Sequence, residues 1–224
     1  MSPRGLGVRI LEGAMPARTS ARILLLLLLI PAIQAQESGV RFDWALGALT
    51  GPNRTFVSIG RQATLKSGDQ LKMFLRLKQR GFVYVILHDS DHELTLLYPG
   101  AIPSIEPAVD VPTYVPAGPA WMRLDDRVGV ETIHLIASST RLDKLEDALK
   151  HYVGSKTSDR SADAKRVLDE IASVKQQFTP GTSPTERPVE IAGRVRGTQP
   201  DVAAHATEVS ARRFYSRTIT IDHR

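Results

Sequence analysis

Between Ser67 and Pro99 the chain reads SGDQLKMFLRLKQRGFVYVILHDSDHELTLLYP, a stretch that admits strands and little else. Leu71, Met73, Leu75 and Leu77 alternate with Lys72, Phe74, Arg76 and Lys78, the period of two that sets one side of a strand on a core and the other toward water. After the break at Arg80-Gly81, Phe82-Val83-Tyr84-Val85-Ile86-Leu87 is continuously apolar, β-branched or aromatic and short for a helix. It reads as a central strand covered on both faces. His88-Asp89-Ser90-Asp91-His92 is rich in residues that bond their own backbone and tolerate left-handed conformations, and Glu93 to Tyr98 then runs back until Pro99 stops it. The expected unit is an antiparallel meander.

Further strands are expected on both sides of it. Val40 to Leu46 alternates apolar and polar residues, and Thr55 to Ile59 follows the Gly51-Pro52-Asn53 turn signal. Pro103, Pro107, Pro112, Pro116 and Pro119 forbid a helix interior and suit a crossing loop or edge strand. Trp121 to Leu124 and Val130 to Ala137 supply later strands. At Ser139 the pattern changes: Leu142, Leu145, Leu149 and Tyr152 recur at helical spacing, with Thr140 and Asp143 placed as a cap and Gly154 as an end. A second helix, capped by Ser161, carries the stripe Ala164, Val167, Leu168, Ile171, Val174 and Phe178 until Pro180. Beyond the Pro180 to Pro184 linker, Val189 to Gly193 and Phe214 to Ile221 return to strand character.

These residues resemble the bacterial domain of unknown function 4384 family. Gly68-Asp69-Gln70-Leu71 matches its Gly-Asp strand opening, and Gly81-Phe82-Val83-Tyr84-Val85 its Gly-aromatic-x-Tyr strand. An Asp-containing turn leads into Leu96-Leu97-Tyr98-Pro99, and Gly129-Val130-Glu131, followed by Ile133 to Ser138, matches its Gly-x-Glu strand. His92 stands where the family's turn commonly has Gly. The resemblance covers the middle of the chain. It implies a small β-rich module of exported bacterial proteins, often attached to caspase-like peptidase or kinase domains, with no catalytic residues of its own and no substrate.

The N-terminus carries Arg18 and Arg22, the aliphatic run Ile23 to Ile30, and Pro31-Ala32-Ile33-Gln34-Ala35, the layout of a secretory signal cleaved after Ala35, with Met15 as an alternative start. The run is far below the roughly 20 residues that cross a bilayer as a helix, so no permanent span is expected after cleavage. Of the 29 Lys and Arg and 24 Asp and Glu, Arg4, Arg9, Arg18, Arg22 and Glu12 belong to residues 1–35. The remainder is close to neutral, which argues against a nucleic-acid partner. Without cysteine there is no lipoprotein attachment, no disulfide and no cysteine catalysis.

Candidate chemistry is sparse. His88, Asp89, Asp91 and His92 surround a tight turn and form the one metal-like cluster, but hairpin Asp and Ser serve turn geometry, and four-residue histidine spacing marks a metal site on a helix rather than across a hairpin. His134 with Ser138 and Ser139 lacks a nucleophile elbow and a third partner, so a bonded or solvated strand histidine is expected. Glu131 reads as a structural acid at a strand start. Lys72, Phe74, Arg76, Lys78 and Arg80 form a basic strand face suited to an acidic peptide, a glycan or an anionic surface, or simply to resisting edge pairing. Arg212, Arg213 and Arg217 invite the same two readings.

The expected architecture is mainly β: an antiparallel β-sandwich, Ig-like, with an inserted or appended pair of α-helices. Residues 36–139 form the sandwich core, 140–180 the helical pair, and 181–224 a linker with C-terminal strands that rejoin the sheet. The expected role is a non-catalytic, exported module, periplasmic or extracellular, that binds a protein or envelope component without a cofactor. The alternatives are a metal-dependent hydrolase built on His88, Asp91 and His92, and a structural protein that assembles through its helical pair.

Overall fold

The computed structural model describes residues 39–102, 107–178, 183–189 and 201–224. The elements in order are β1 (Val40–Thr50), β2 (Thr55–Ser58), β3 (Gln62–Leu65), β4 (Gln70–Leu77), β5 (Phe82–His88), β6 (Leu94–Tyr98), β7 (Thr113–Val115), β8 (Met122–Arg123), β9 (Gly129–Ser138), α1 (Asp143–Gly154), α2 (Arg160–Phe178), β10 (Thr185–Pro188), β11 (Thr207–Ala211) and β12 (Phe214–His223), with a 3-10 turn at Val202–His205 before β11. The signal segment and its cleavage point, Pro103, Pro180 and residues 190–193 lie outside the described residues.

Two sheets pack face to face. One runs β10-β11-β1-β4-β7, with β2 also on β1 and β8 also on β4; the other runs β3-β12-β9-β5-β6. Pairing is antiparallel except between β3 and β12, which is parallel. Between the sheets lies the main core: Phe42, Trp44 and Leu46 from β1, Leu71, Met73, Leu75 and Leu77 from β4, Val83 and Val85 from β5, Ile133 and Leu135 from β9, and Tyr215, Ile219 and Ile221 from β12. The protein is thus a mainly β, two-sheet sandwich with two helices, and the final strand sits inside a sheet, between β3 and β9.

The expected meander does not form. Only β5 and β6 make a hairpin; β4 pairs with β1 across eight residues, Gln70 to Leu77, in the opposite sheet. The alternating face of β4 and the apolar strand β5 bury more by facing each other across the core than by lying side by side, and Lys78 to Gly81 carries the chain between layers.

The helices cover the outer face of the second sheet. Leu142, Leu145, Leu149 and Tyr152 of α1 and Ala164, Val167, Ile171 and Val174 of α2 pack on Tyr84, Ile86 and Ile136. Neither expected cap forms. Leu142 stands at the N-cap of α1 with no side-chain cap bond, and α2 begins at Arg160, one residue before Ser161. Acidic residues in each first turn, Asp143 and Glu146 in α1 and Asp163 in α2, answer the helix dipole instead. The Tyr84 hydroxyl accepts from Leu142 N at 3.3 Å, so the sheet itself meets one of the orphan amides.

The first sheet is covered too. Val202, Ala203 and Ala206 lie on Ala45 and Phe74, with Phe56, Tyr114 and Trp121 at the margin. The side of β4 expected to face water is therefore buried: Lys72 is 6 % exposed and Phe74 2 %. Alternation encodes which residues share a face; it does not encode that a loop and a 3-10 turn from far along the chain will close over the polar one.

Candidate functional site

The basic row on β4 divides between burial and internal pairing. Lys72 Nζ donates to Gly118 O and, at 2.8 Å, to Ala120 O, and burial holds its ammonium below the ordinary lysine value. Arg76 Nε donates to Asp43 Oδ2 at 2.9 Å, and Lys78 is 3.0 Å from Asp110. Lys78 is half-buried and Arg80 exposed. Arg217 does not join them: it points into the sandwich over the rings of Trp44 and Tyr215, ion-paired to Glu186, while Arg212 and Arg213 are exposed.

The four residues of the β5–β6 turn also have internal work. Asp89 Oδ1 accepts from Asp91 N at 3.0 Å and Glu93 N at 2.8 Å. His92 takes φ +64°, the left-handed conformation that a glycine would adopt without strain. Asp91 is ion-paired to Arg127, which also meets Asp125 at 3.3 Å. The rings of His88 and His92 lie 5.7 Å apart, and burial, then the charge of His92, holds His88 below the ordinary imidazole value. Among the described residues no three His, Asp or Glu side chains are placed to hold a metal ion. The metal-hydrolase reading thus loses its ligand set: the carboxylates are committed to the turn and to Arg127.

His134 and Ser138 lie on one face of β9 but serve different neighbours. His134 stands opposite Ile86 and Thr218, Ser138 opposite Phe82 and Phe214. His134 is 9 % exposed, and its Nδ1 has no partner, so it is neither bonded there nor solvated. Burial first, then the charges of Lys175 and His88, pushes its imidazole down to about 4.

What the fold does assemble is one open end of the sandwich. The turn before β4, the β5–β6 turn, the loop from β8 to β9 and the facing ends of β9 and β12 meet there. Asp69 ties it together: Oδ1 accepts from Gly51 N and Oδ2 from Lys66 N, both at 2.9 Å, while Gly68 N donates to Leu124 O and Leu124 N to Asp69 O. Gly68 sits at φ +90°. Gly129, at φ +150°, lets Ser90 approach to 2.6 Å from where a Cβ would stand. A cleft of about 130 Å³ opens between these loops, with Leu87, Met122 and Leu124 as apolar lining and Asp89, Asp91, Arg123, Asp125, Arg127 and Glu131 as charged lining.

Beside the cleft a relay of three residues comes together. Ser67 Oγ is 3.1 Å from His223 Nε2, and His223 Nδ1 is 3.1 Å from Glu131 Oε1. His223 and Glu131 are buried, Ser67 exposed. Burial holds the Glu131 carboxyl above its ordinary value, against the opposing pull of the His223 contact. Of the three, only Glu131 stands out in the sequence, as the acid of the Gly129-Val130-Glu131 strand start. His223 lies 92 residues from it and 156 from Ser67, and no motif spacing links residues that only β-sheet topology brings together.

The segment-by-segment resemblance and this geometry coincide: Gly68-Asp69, the Asp turn and Gly129-Val130-Glu131 all border the same open end. No curated protein and no solved structure matches the chain. Residues 64–141 match the model of the family described as domain of unknown function DUF4384, in support of the resemblance carried by that segment.

Proposed function

We propose that this chain is an exported β-sandwich module, periplasmic or extracellular, that binds a protein or envelope component through the open end of its sandwich. One observation carries the reading: two separate segments, 87–91 and 122–131, converge around a cleft with both apolar and charged lining. Such a surface suits a polypeptide better than a buried small molecule, because anchoring side chains find apolar contact while the charged lining sets orientation. Val128 and Val130, both 59 % exposed, extend the apolar surface beside it. The N-terminal signal pattern supports export. Among the described residues no helix is long and apolar enough to cross a membrane.

The test is site-specific photo-crosslinking in cells. A photoreactive residue placed at Asp125 or Val128 is expected to capture a discrete partner, and the same residue at Lys165, on the exposed face of α2, is not. Equal capture at both places, or none at the open end, would overturn the assignment. Fractionation of the same cells checks export: the processed chain belongs in the periplasmic or extracellular fraction.

A further inference from the structure

We propose that Ser67 is a catalytic nucleophile toward small carboxylic esters, with His223 as its general base and Glu131 as the residue that positions the imidazole. The order of contacts is the one this chemistry needs. Ser67 Oγ faces Nε2, the other ring nitrogen faces a carboxylate, and the carboxylate fixes the tautomer that leaves Nε2 free to accept a proton. Ser67 is exposed while its two supporting side chains are buried, so the serine lies at the surface and the relay behind it does not.

Charge on the reacting carbonyl oxygen also needs a partner. The amides of Gly68 and Asp69 already donate to Leu124 O and Lys66 O, so the backbone beside Ser67 offers no pair of donors. Arg123 takes that role. Its Nη2 is 3.3 Å from where a Cβ on Gly68 would stand, its side chain is exposed, and it also lines the cleft. Arg123 and Glu131, but not Ser67 itself, line the adjoining cleft of about 130 Å³, which has room for an acyl group of a few carbons beside the relay.

The reaction balances without a cofactor. Ser67 Oγ bonds to the ester carbonyl carbon as its proton passes to Nε2 of His223; the bond to the leaving oxygen breaks, and that oxygen takes the proton away as an alcohol. Water then attacks the acyl carbon, its proton passing to Nε2, and Ser67 recovers a proton as the carboxylic acid departs. This chemistry is independent of partner binding, so its failure leaves the crosslinking result standing, and the reverse.

The test uses the full chain and a fluorophosphonate probe, with intact mass and peptide mapping as the readout. Wild-type protein is expected to gain one phosphonyl group on Ser67 as fluoride leaves. Ser67→Ala, a surface change, loses the adduct, and His223→Gln slows labelling by roughly a hundredfold or more. Arg123→Met, also on the surface, slows labelling without moving the melting temperature, which separates chemistry from folding if His223→Gln proves unstable. Glu131→Gln shifts the pH profile of labelling toward acid, an effect a purely structural role would not produce. No adduct on Ser67 in the wild type, or equal labelling rates in the wild type and both the His223 and Arg123 variants, would overturn the proposal.

Discussion

The hydroxyl of Tyr84, in the middle of β5, donates to Glu146 Oε1 of α1 at 2.8 Å, joining residues 62 apart in the chain. A second tie of the same kind runs the other way: Leu94 N of β6 donates to the hydroxyl of Tyr152 at 2.9 Å. Each tyrosine buries its ring in the apolar layer between helices and sheet and spends its polar end on the opposite element. The helical layer is therefore held in register by polar contacts as well as by apolar area.

Tyr84→Phe keeps the ring and removes the bond to a buried carboxylate. The expected loss is about 2 kcal/mol of unfolding free energy, read from urea denaturation, with faster amide exchange in α1. A loss within error of zero would show that the tie contributes nothing net.

Arg76→Ala leaves the fully buried Asp43 carboxylate, among the described residues, with Lys78 at 3.8 Å as its remaining ion-pair partner. Removing one partner of a buried pair is costly because the other charge stays behind, and a loss of about 3 kcal/mol is expected. Asp43→Asn in the same background should recover part of it. If the single variant is as stable as wild type, Arg76 belongs to a functional surface rather than to the fold.

Gly129→Ala places a Cβ 2.6 Å from that of Ser90 on a backbone at φ +150°. A cost of about 2–3 kcal/mol is expected from strain and overpacking together. Ser90→Gly removes the clash but not the φ strain, so the double variant should regain only part of the loss. Full recovery, or none, would show that one of the two causes acts alone.

The buried imidazole of His134, held at about 4, makes stability depend on pH. Its folded value lies below the unfolded one, so between about pH 6.5 and 4 the unfolded chain binds more protons; stability is retained above that window and lost as pH falls through it. The displacement corresponds to about 3 kcal/mol at most. His88, displaced the same way by burial and by His92, adds to the effect. Glu131 works with the opposite sign: a carboxyl held high lends stability when protonated, and that share is lost as pH rises. His134→Gln should flatten the acid side of the stability curve measured by urea unfolding at a series of pH values. An unchanged slope would remove His134 as its cause.

Several parts of the fold are legible in the sequence. The run Phe82 to Leu87 is apolar on both sides of its strand because β5 has the main core on one face and the helices on the other. The stripe from Ala164 to Val174 packs on the sheet as its spacing requires. Asp and Ser at 89–91 make the turn their side chains suit, and His92 adopts the backbone a glycine would.

The site was less legible, for a definite reason. Lys72, Arg76 and Lys78 look like a free basic face because period-two alternation reports sidedness and says nothing of what lies above a face. Their partners, Gly118, Asp43 and Asp110, come from other segments. Ser67, Glu131 and His223 are unremarkable singly, and their relay exists only because β12 pairs with β9 in the register that sets His223 opposite Gly129.

By itself, then, the sequence determined the local states: strand, turn and helix, the faces that seek a core, and kinship over the middle of the chain. These follow from periodicity and backbone preference within a few residues. Tertiary structure alone decided that β4 and β5 lie in opposite sheets, that the basic face is in part buried and in part paired internally, and that a serine, a histidine and a glutamate meet at one end. Those outcomes depend on burial and pairing between segments distant in sequence, and short-range patterns carry no record of which distant surface will arrive.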